Sequence, residues 1–460
     1  MRLFGTNGIR EIVGERLTPT FAASFASAVG TIFPPGAPIV LGWDGRTSSP
    51  DLARIVGGTL ALYGQQVIRL GLLPTPAIQY NVPRLGAQLG VIVTASHNPP
   101  EFNGFKCIAA DGLEVERSVE TAIESAMEAP PAPPGRFDRL GASFDDDRGG
   151  ARYLDGILGQ LDRAAIAHRK FTIVLDCANG ASAVTTPALL RRLGCRVISL
   201  NAQIDGTFPG HRSEPTEANL SDLRRVVPAL GADLGVAHDG DADRAVFVDA
   251  AGQFVPGEKV LTLLAQDRVS RHHGGIVVTP VSGTRALEEV IRPMGGEVVF
   301  TRVGSPAVTR AMQQRSAVFG GEENGGLIFP ELHLARDGAM TVGAVLEYLA
   351  RTALSLHDAI ARLPDFTLVK LQVDCPRDRQ ADVLATVTQT LRARGGEIVL
   401  IDGIKSSAPD GWILLRPSGT EPLLRIFAES RDGAKAAALA ADGKRLVETA
   451  LAGSPGPTSG

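Results

Sequence analysis

Along the chain, runs of consecutive apolar residues end in short stretches rich in Gly, Ser and Asp, and amphipathic stretches follow them. Residues 39–43 form such a run, followed by DGRTSSP and a helical stretch from Asp51. Residues 172–175 lead into DCANGAS and a helix through Arg192, and residues 276–278 lead into TPVSGT and a helix through Ile291. Continuous apolar runs of this length predict strands buried on both faces, and their alternation with helices predicts α/β units with largely parallel sheets. Three copies of one plan suggest a repeated domain, although common βα units can also recur by coincidence. Further strands are expected at 89–93, 234–237 and 245–248, the last closed by the hairpin-like DAAGQ at 249–253.

Past Leu363 and Pro364 the pattern changes. A strand, a helix over 378–393, strands at 397–401, 412–416 and 422–428, and a helix over 432–451 predict an α+β C-terminal domain. Residues 129–150, rich in Pro, Gly and Asp, read as a connection, and the tail SPGPTSG as disordered. The expected domains are therefore 1–150, 151–252, 253–364 and 365–460, in keeping with a length of 460 residues.

Composition narrows the function. Hydrophobic residues make up 44% and charged residues 21%, enough apolar material for a normal core in each domain. The formal net charge of −4 provides no global basic field for nucleic acid or an acidic membrane, so any anion site must be local. The four cysteines, at 107, 177, 195 and 375, form no CxxC, which argues against zinc or redox motifs and for a reducing compartment. MRLFGTNGIR has no apolar signal core, and no apolar run reaches the length of a membrane span. A cytoplasmic protein with no membrane or nucleic-acid partner is expected; oligomeric state is not legible.

Four motifs carry candidate chemistry. TASHNPPEFNGFK, residues 94–106, follows an apolar strand and makes a good exposed turn. Ser96 is a candidate nucleophile, with His97 beside it and Lys106 as proton carrier or phosphate ligand; a plain surface turn also fits. HDGDADR, residues 238–244, places Asp239, Asp241 and Asp243 at alternate positions, so in extended backbone their carboxylates converge, which suits Mg²⁺. An EF-hand would need Gly at Arg244 and an acidic residue near Ala250. GGEENGG, residues 320–326, offers Glu322 and Asn324 to sugar hydroxyls, or is simply a glycine-rich turn. RPSGTEPLLR, residues 416–425, combines Arg416 and Arg425 with Ser418, Gly419 and Thr420 in a possible anion nest without a nucleotide P-loop. Arg10 and Arg46 are further possible phosphate contacts, although arginines near loops are more often simply solvated surface.

These motifs, in this order over nearly the whole chain, resemble the α-D-phosphohexomutase superfamily of phosphoglucomutases, phosphomannomutases and phosphoglucosamine mutases. The resemblance implies three similar mixed α/β domains plus a C-terminal α+β domain around a central cleft. It implies that Ser96 carries the phosphoryl group and joins Asp239, Asp241 and Asp243 around one Mg²⁺, with His97, Lys106 and Arg10 catalytic. Arg244 would neighbour the metal loop and bind substrate, Glu322 and Asn324 would read hydroxyls, and Arg416, Ser418, Gly419, Thr420 and Arg425 would hold the distal phosphate. Expected substrates are small sugar phosphates, with a hexose bisphosphate as activator. The resemblance is greatest to the branch containing phosphoglucosamine mutase and phosphomannomutase/phosphoglucomutase, leaning to the former. Two departures stand out: many members have Ser at Asn324, and many have His or Asp at Ser305. A metal-dependent sugar phosphatase and a non-catalytic sugar-phosphate binder are the rivals; the second predicts loss of Ser96 or an Asp, and all are present.

Overall fold

The computed structural model describes residues 2–5, 7–418 and 421–453, and these build four sheets in chain order. In the first, the strand Pro38–Trp43 lies between Leu89–Val93 and Gln66–Leu72, parallel to both; Phe102–Ala109 and Ile9–Ile12 extend the sheet antiparallel. The second sheet centres on Thr172–Asp176 and Leu234–His238, and the third on Gly275–Pro280 and Phe319–Gly321; each pair is parallel and each sheet finishes in antiparallel strands. The fourth sheet is antiparallel throughout. The strands Leu89–Val93 and Leu234–His238 are buried at every position, as the apolar runs 89–93 and 234–237 require.

Where the elements depart from the expectation, weak side-chain signals are the cause. The connection 129–150 contributes an edge strand, Ser143–Asp145, paired parallel to Gln66–Leu72, and the start of the helix Gly149–Leu158. All three residues of that strand are exposed, so no alternation marked it. In the fourth domain the strand Ile404–Ala408 goes unpredicted because Lys405, Ser406 and Ser407 interrupt its apolar character. The tail 454–460 lies outside the described residues.

One buried cluster runs from Val40 and Ile92 of the first sheet through Leu175 and Phe247 of the second to Val277 and Phe319 of the third. The fourth domain has its own core around Cys375, Val387, Leu415 and Ile426. It meets the third domain through a small apolar patch in which Val281 joins Trp412, Leu414 and Phe427.

Candidate active site

The first three motifs sit on loops at the carboxyl ends of parallel strands, where open α/β sheets leave a crevice for ligands. The loop after Leu89–Val93 carries Ser96, with left-handed backbone at φ 53°. Non-glycine residues in this region are strained, and such strain tends to concentrate at functional positions. A dense network imposes the conformation. Ser96 N–H donates to Thr94 Oγ1 (2.8 Å), and Thr94 Oγ1 donates to Asp44 Oδ2 (2.7 Å). The fully buried Arg46 donates to the carbonyls of Ser96 (2.8 Å), Asn98 (2.6 Å), Pro99 (2.7 Å) and Phe102 (2.8 Å), and its Nε donates to Asp44. Arg46 is thus a clamp on the loop and has no donors left for a phosphate, which corrects the sequence expectation.

The acidic loop of the second domain approaches from the opposite side. Gly240 comes so close that a Cβ there would lie 2.7 Å from the Ser96 carbonyl oxygen. Ser96 Oγ is 3.2 Å from Asp239 Oδ2 and 3.4 Å from His97 Nδ1. Arg244 reaches back across the domain boundary, its Nη2 3.2 Å from the same His97 nitrogen. Burial, then the charges of Arg244 and Arg10, push His97 down to about 2, so its imidazole is neutral at physiological pH. Arg10 donates to Asn98 Oδ1 (2.8 Å), holding its guanidinium on the Ser96 loop.

Asp239, Asp241 and Asp243 are buried, with one oxygen from each lying within 4.8 Å of the others. Lys106 Nζ donates to Asp241 Oδ2 (2.7 Å) and lies 3.7 Å from Asp243 Oδ2; Thr75 Oγ1 also donates to Asp241 Oδ2 (2.7 Å). Although burial acts the other way, Lys106 and Thr75 hold Asp241 below the ordinary carboxylate range. Burial, followed by repulsion from Asp243 and Asp241, holds Asp239 well above it. Among the described residues no donor reaches Asp241 Oδ1 or Asp243 Oδ1. Converging buried carboxylates with unpartnered oxygens fit a hard divalent cation such as Mg²⁺.

The third domain adds Glu322, whose Oε2 accepts from Arg336 Nη1 (2.6 Å), while Arg336 Nη2 donates to Asp243 Oδ2. Asn324 Oδ1 accepts from Gly326 N–H (3.1 Å) within the same loop. Ser305 opens the helix Ser305–Arg315, where its Oγ donates to Glu114 Oε1 (3.0 Å) and accepts from Asn7 Nδ2 (3.1 Å), both of the first domain. In the fourth domain the antiparallel strands Gly411–Pro417 and Leu423–Ser430 place Arg416 directly opposite Arg425. Ser418 N–H donates to Leu423 O (2.9 Å) at the end of this hairpin; Gly419 and Thr420 lie outside the described residues.

Four family models, all headed phosphoglucomutase/phosphomannomutase, match in order: alpha/beta/alpha domains I, II and III over residues 1–132, 151–252 and 256–366, and the C-terminal domain over 368–445. The chain belongs to the phosphoglucomutase/phosphomannomutase family. It is 38% identical to a phosphoglucomutase/phosphomannomutase of Thermococcus kodakarensis, over 98% of this chain and 100% of that one. It is 39% identical to a probable phosphoglucosamine mutase of Methanopyrus kandleri, over 95% of each. A crystal structure of a phosphoglucomutase/phosphomannomutase family protein from Burkholderia thailandensis superposes with a TM-score of 0.87 at 28% identity, covering 99% of both chains. For a member of this family, sequence reasoning overlooked Thr75, Asp44 and Arg336. Each acts on a motif from a distant strand or loop, so spacing within the motif carries no trace of it.

Proposed function

We propose that this family member is a phosphohexomutase that interconverts hexose 6-phosphate and hexose 1-phosphate through a phosphorylated Ser96 and a bisphosphate intermediate. The observation that carries the reading is the meeting of the strained Ser96 with three convergent aspartates from a second domain, Oγ lying 3.2 Å from Asp239. We assign the phosphoserine loop to 1–150, the metal loop to 151–252, sugar recognition to 253–364 and phosphate anchoring to 365–460.

Asp239, Asp241, Asp243 and the Ser96 side chain would hold one Mg²⁺, which supplies neutralisation of charge on the transferred phosphoryl group. Arg416, Ser418, Gly419, Thr420 and Arg425 anchor the phosphate that is not transferred. Glu322 and Asn324 read the ring hydroxyls. The free hydroxyl attacks the phosphorus on Ser96, forming its own O–P bond as the Ser96 Oγ–P bond breaks. Arg244, whose buried Nε lacks a hydrogen-bond partner among the described residues, donates to the phosphoryl oxygens. Lys106 and Arg10 flank the transfer, in which the proton leaving the attacking hydroxyl ends on the departing Ser96 Oγ, and His97 orients Arg244 as a neutral acceptor. The bisphosphate then turns over and returns its other phosphoryl group to Ser96; a hexose bisphosphate restores the phosphoserine when it has been lost. Among the described residues no helix is long and apolar enough to cross a membrane. We place the enzyme in the cytoplasm, acting on small sugar phosphates.

The preferred sugar is glucosamine phosphate, supported by the similarity to the probable phosphoglucosamine mutase; glucose and mannose phosphates are the second choice, supported by the Thermococcus relative. An assay on the three hexose 6-phosphates, with a trace of hexose bisphosphate, is expected to give the 1-phosphates, fastest for glucosamine, and to stop with EDTA. Peptide mass spectrometry should find phosphate on Ser96. Turnover by Ser96→Ala, or a rate indifferent to EDTA, would overturn the mechanism.

A further inference from the structure

Arg336 closes the strand His333–Arg336, and its side chain is 7% exposed. One edge of its guanidinium donates to Asp243 Oδ2 on the acidic loop of the second domain, the other to Glu322 Oε2 (2.6 Å) on the glycine-rich loop of the third. The stem crosses Gly326 so closely that a Cβ there would meet Arg336 Cδ at 2.4 Å. Gly326 therefore makes room for the arginine, while its neighbour Gly325 makes room for the Ala245 carbonyl, where a Cβ would lie 2.4 Å from the oxygen. Among the described residues the hydrogen bond falls on Asp243 Oδ2; Oδ1 has none and lies 3.8 Å from Arg244 Nε.

We propose that Arg336 is a positioning residue that joins the cation seat to the sugar-reading loop, so that each ligand raises the affinity for the other. The inference rests on the functional reading above. A planar fork holds two carboxylates in fixed directions relative to each other, a geometry that the rotatable donors of an ammonium do not impose. When a cation draws off the charge of Asp243, the guanidinium is held chiefly by Glu322 and fixes its carboxylate for a hydroxyl. Sugar binding at Glu322 fixes the same fork and, through it, the orientation of Asp243. Thermodynamic linkage makes the two effects equal.

Mn²⁺ binding, read from the electron paramagnetic resonance of the free ion, is measured with and without saturating glucose 6-phosphate in wild type, Arg336→Met and Arg336→Lys. The sugar phosphate should tighten Mn²⁺ binding by about fivefold or more in wild type. In both variants this enhancement should fall at least about threefold, to a residue set by long-range attraction between phosphate and cation. Lysine keeps the charge without the fork, so its failure to rescue separates coupling from simple electrostatics. If Arg336→Met does not fold, Arg336→Lys alone decides. Wild-type enhancement preserved in a folded variant, or absent from a wild type that binds both ligands, overturns the inference. A wild type that binds neither Mn²⁺ nor glucose 6-phosphate overturns the functional reading instead.

Discussion

At the scale of single residues, the site depends on side chains that hold other groups in place. Ser96 keeps its left-handed backbone because Arg46 gathers four carbonyls of its loop and Thr94 takes its amide. Gly240 lets the acidic loop approach the Ser96 carbonyl. A methyl group placed 2.7 Å from that oxygen must push the two loops apart, separating Ser96 Oγ from Asp239 while leaving both cores untouched. Gly240→Ala is therefore expected to lower kcat by about tenfold to a hundredfold, the scale of an ångström-level misplacement of reacting groups, with the melting temperature little changed. Steady-state kinetics beside a thermal melt checks this; an unaltered kcat would show that the loops have slack. The motif TASHNP was readable because its residues are local, whereas Arg46 read as a solvated arginine or a phosphate contact because nothing in DGRTSS reveals which carbonyls surround it.

At the scale of elements, strand register turns a sequence motif into a site. The hairpin of Gly411–Pro417 and Leu423–Ser430 sets Arg416 against Arg425, and like charges directly opposed across two strands repel. Arg416 is partly offset by Asp402 (Nε to Oδ2, 3.0 Å) and Arg425 by Glu421 (3.2 Å). A phosphate bound between the two arginines, as proposed, would relieve what remains. A charged bidentate hydrogen bond contributes about 1.5–3 kcal/mol, so Arg416→Ala should weaken sugar-phosphate binding roughly ten- to a hundredfold. Arg416→Lys should recover only part of the loss, because it lacks the fork. Isothermal titration decides; equal affinities would move the anchor to Arg10 or Arg244. The motif RPSGTEPLLR announced a turn between strands, but the opposition of its two arginines belongs to the register. The neighbouring strand Ile404–Ala408 escaped notice because its serines and buried lysine mimic a loop.

At the scale of the molecule, the first three domains share one apolar cluster while the fourth keeps its own. The loop before Ser305 bridges them: Val303 N–H donates to Asp402 Oδ2 (3.1 Å), and Ser305 holds Glu114. Lys405 is a second tie, its Nζ donating to Val281 O (2.8 Å) beneath the Trp412 ring. Burial, opposed by Glu429 and Glu288, pushes this lysine down to about 8 from 10.5. Below pH 8 both folded and unfolded chains carry the proton, so the penalty of the buried charge is constant. Between about 8 and 10.5 the unfolded chain binds more protons than the folded one, so this group's contribution to stability rises with pH. Relative to Lys405→Met, wild type should gain up to about 3 kcal/mol across that window. Urea unfolding of both proteins from pH 7.5 to 10.5 tests this, and parallel stability profiles would count against a buried charge at the interface.

What the sequence determined by itself was everything set by neighbours along the chain. Unbroken apolar runs made the central strands, their alternation with helices made the α/β units, and short motifs placed Ser96, the three aspartates, Glu322 and the arginine-bearing loop at strand ends. Tertiary structure alone decided which of these meet and what holds them. Lys106 and Thr75 of the first domain grip Asp241 of the second, Arg336 of the third spans Asp243 and Glu322, and Ser305 ties to Asn7 and Glu114. The physical reason is range: backbone preference and hydrophobic periodicity act over a few residues, whereas hydrogen bonds between buried charges join whatever the packing of whole domains brings together.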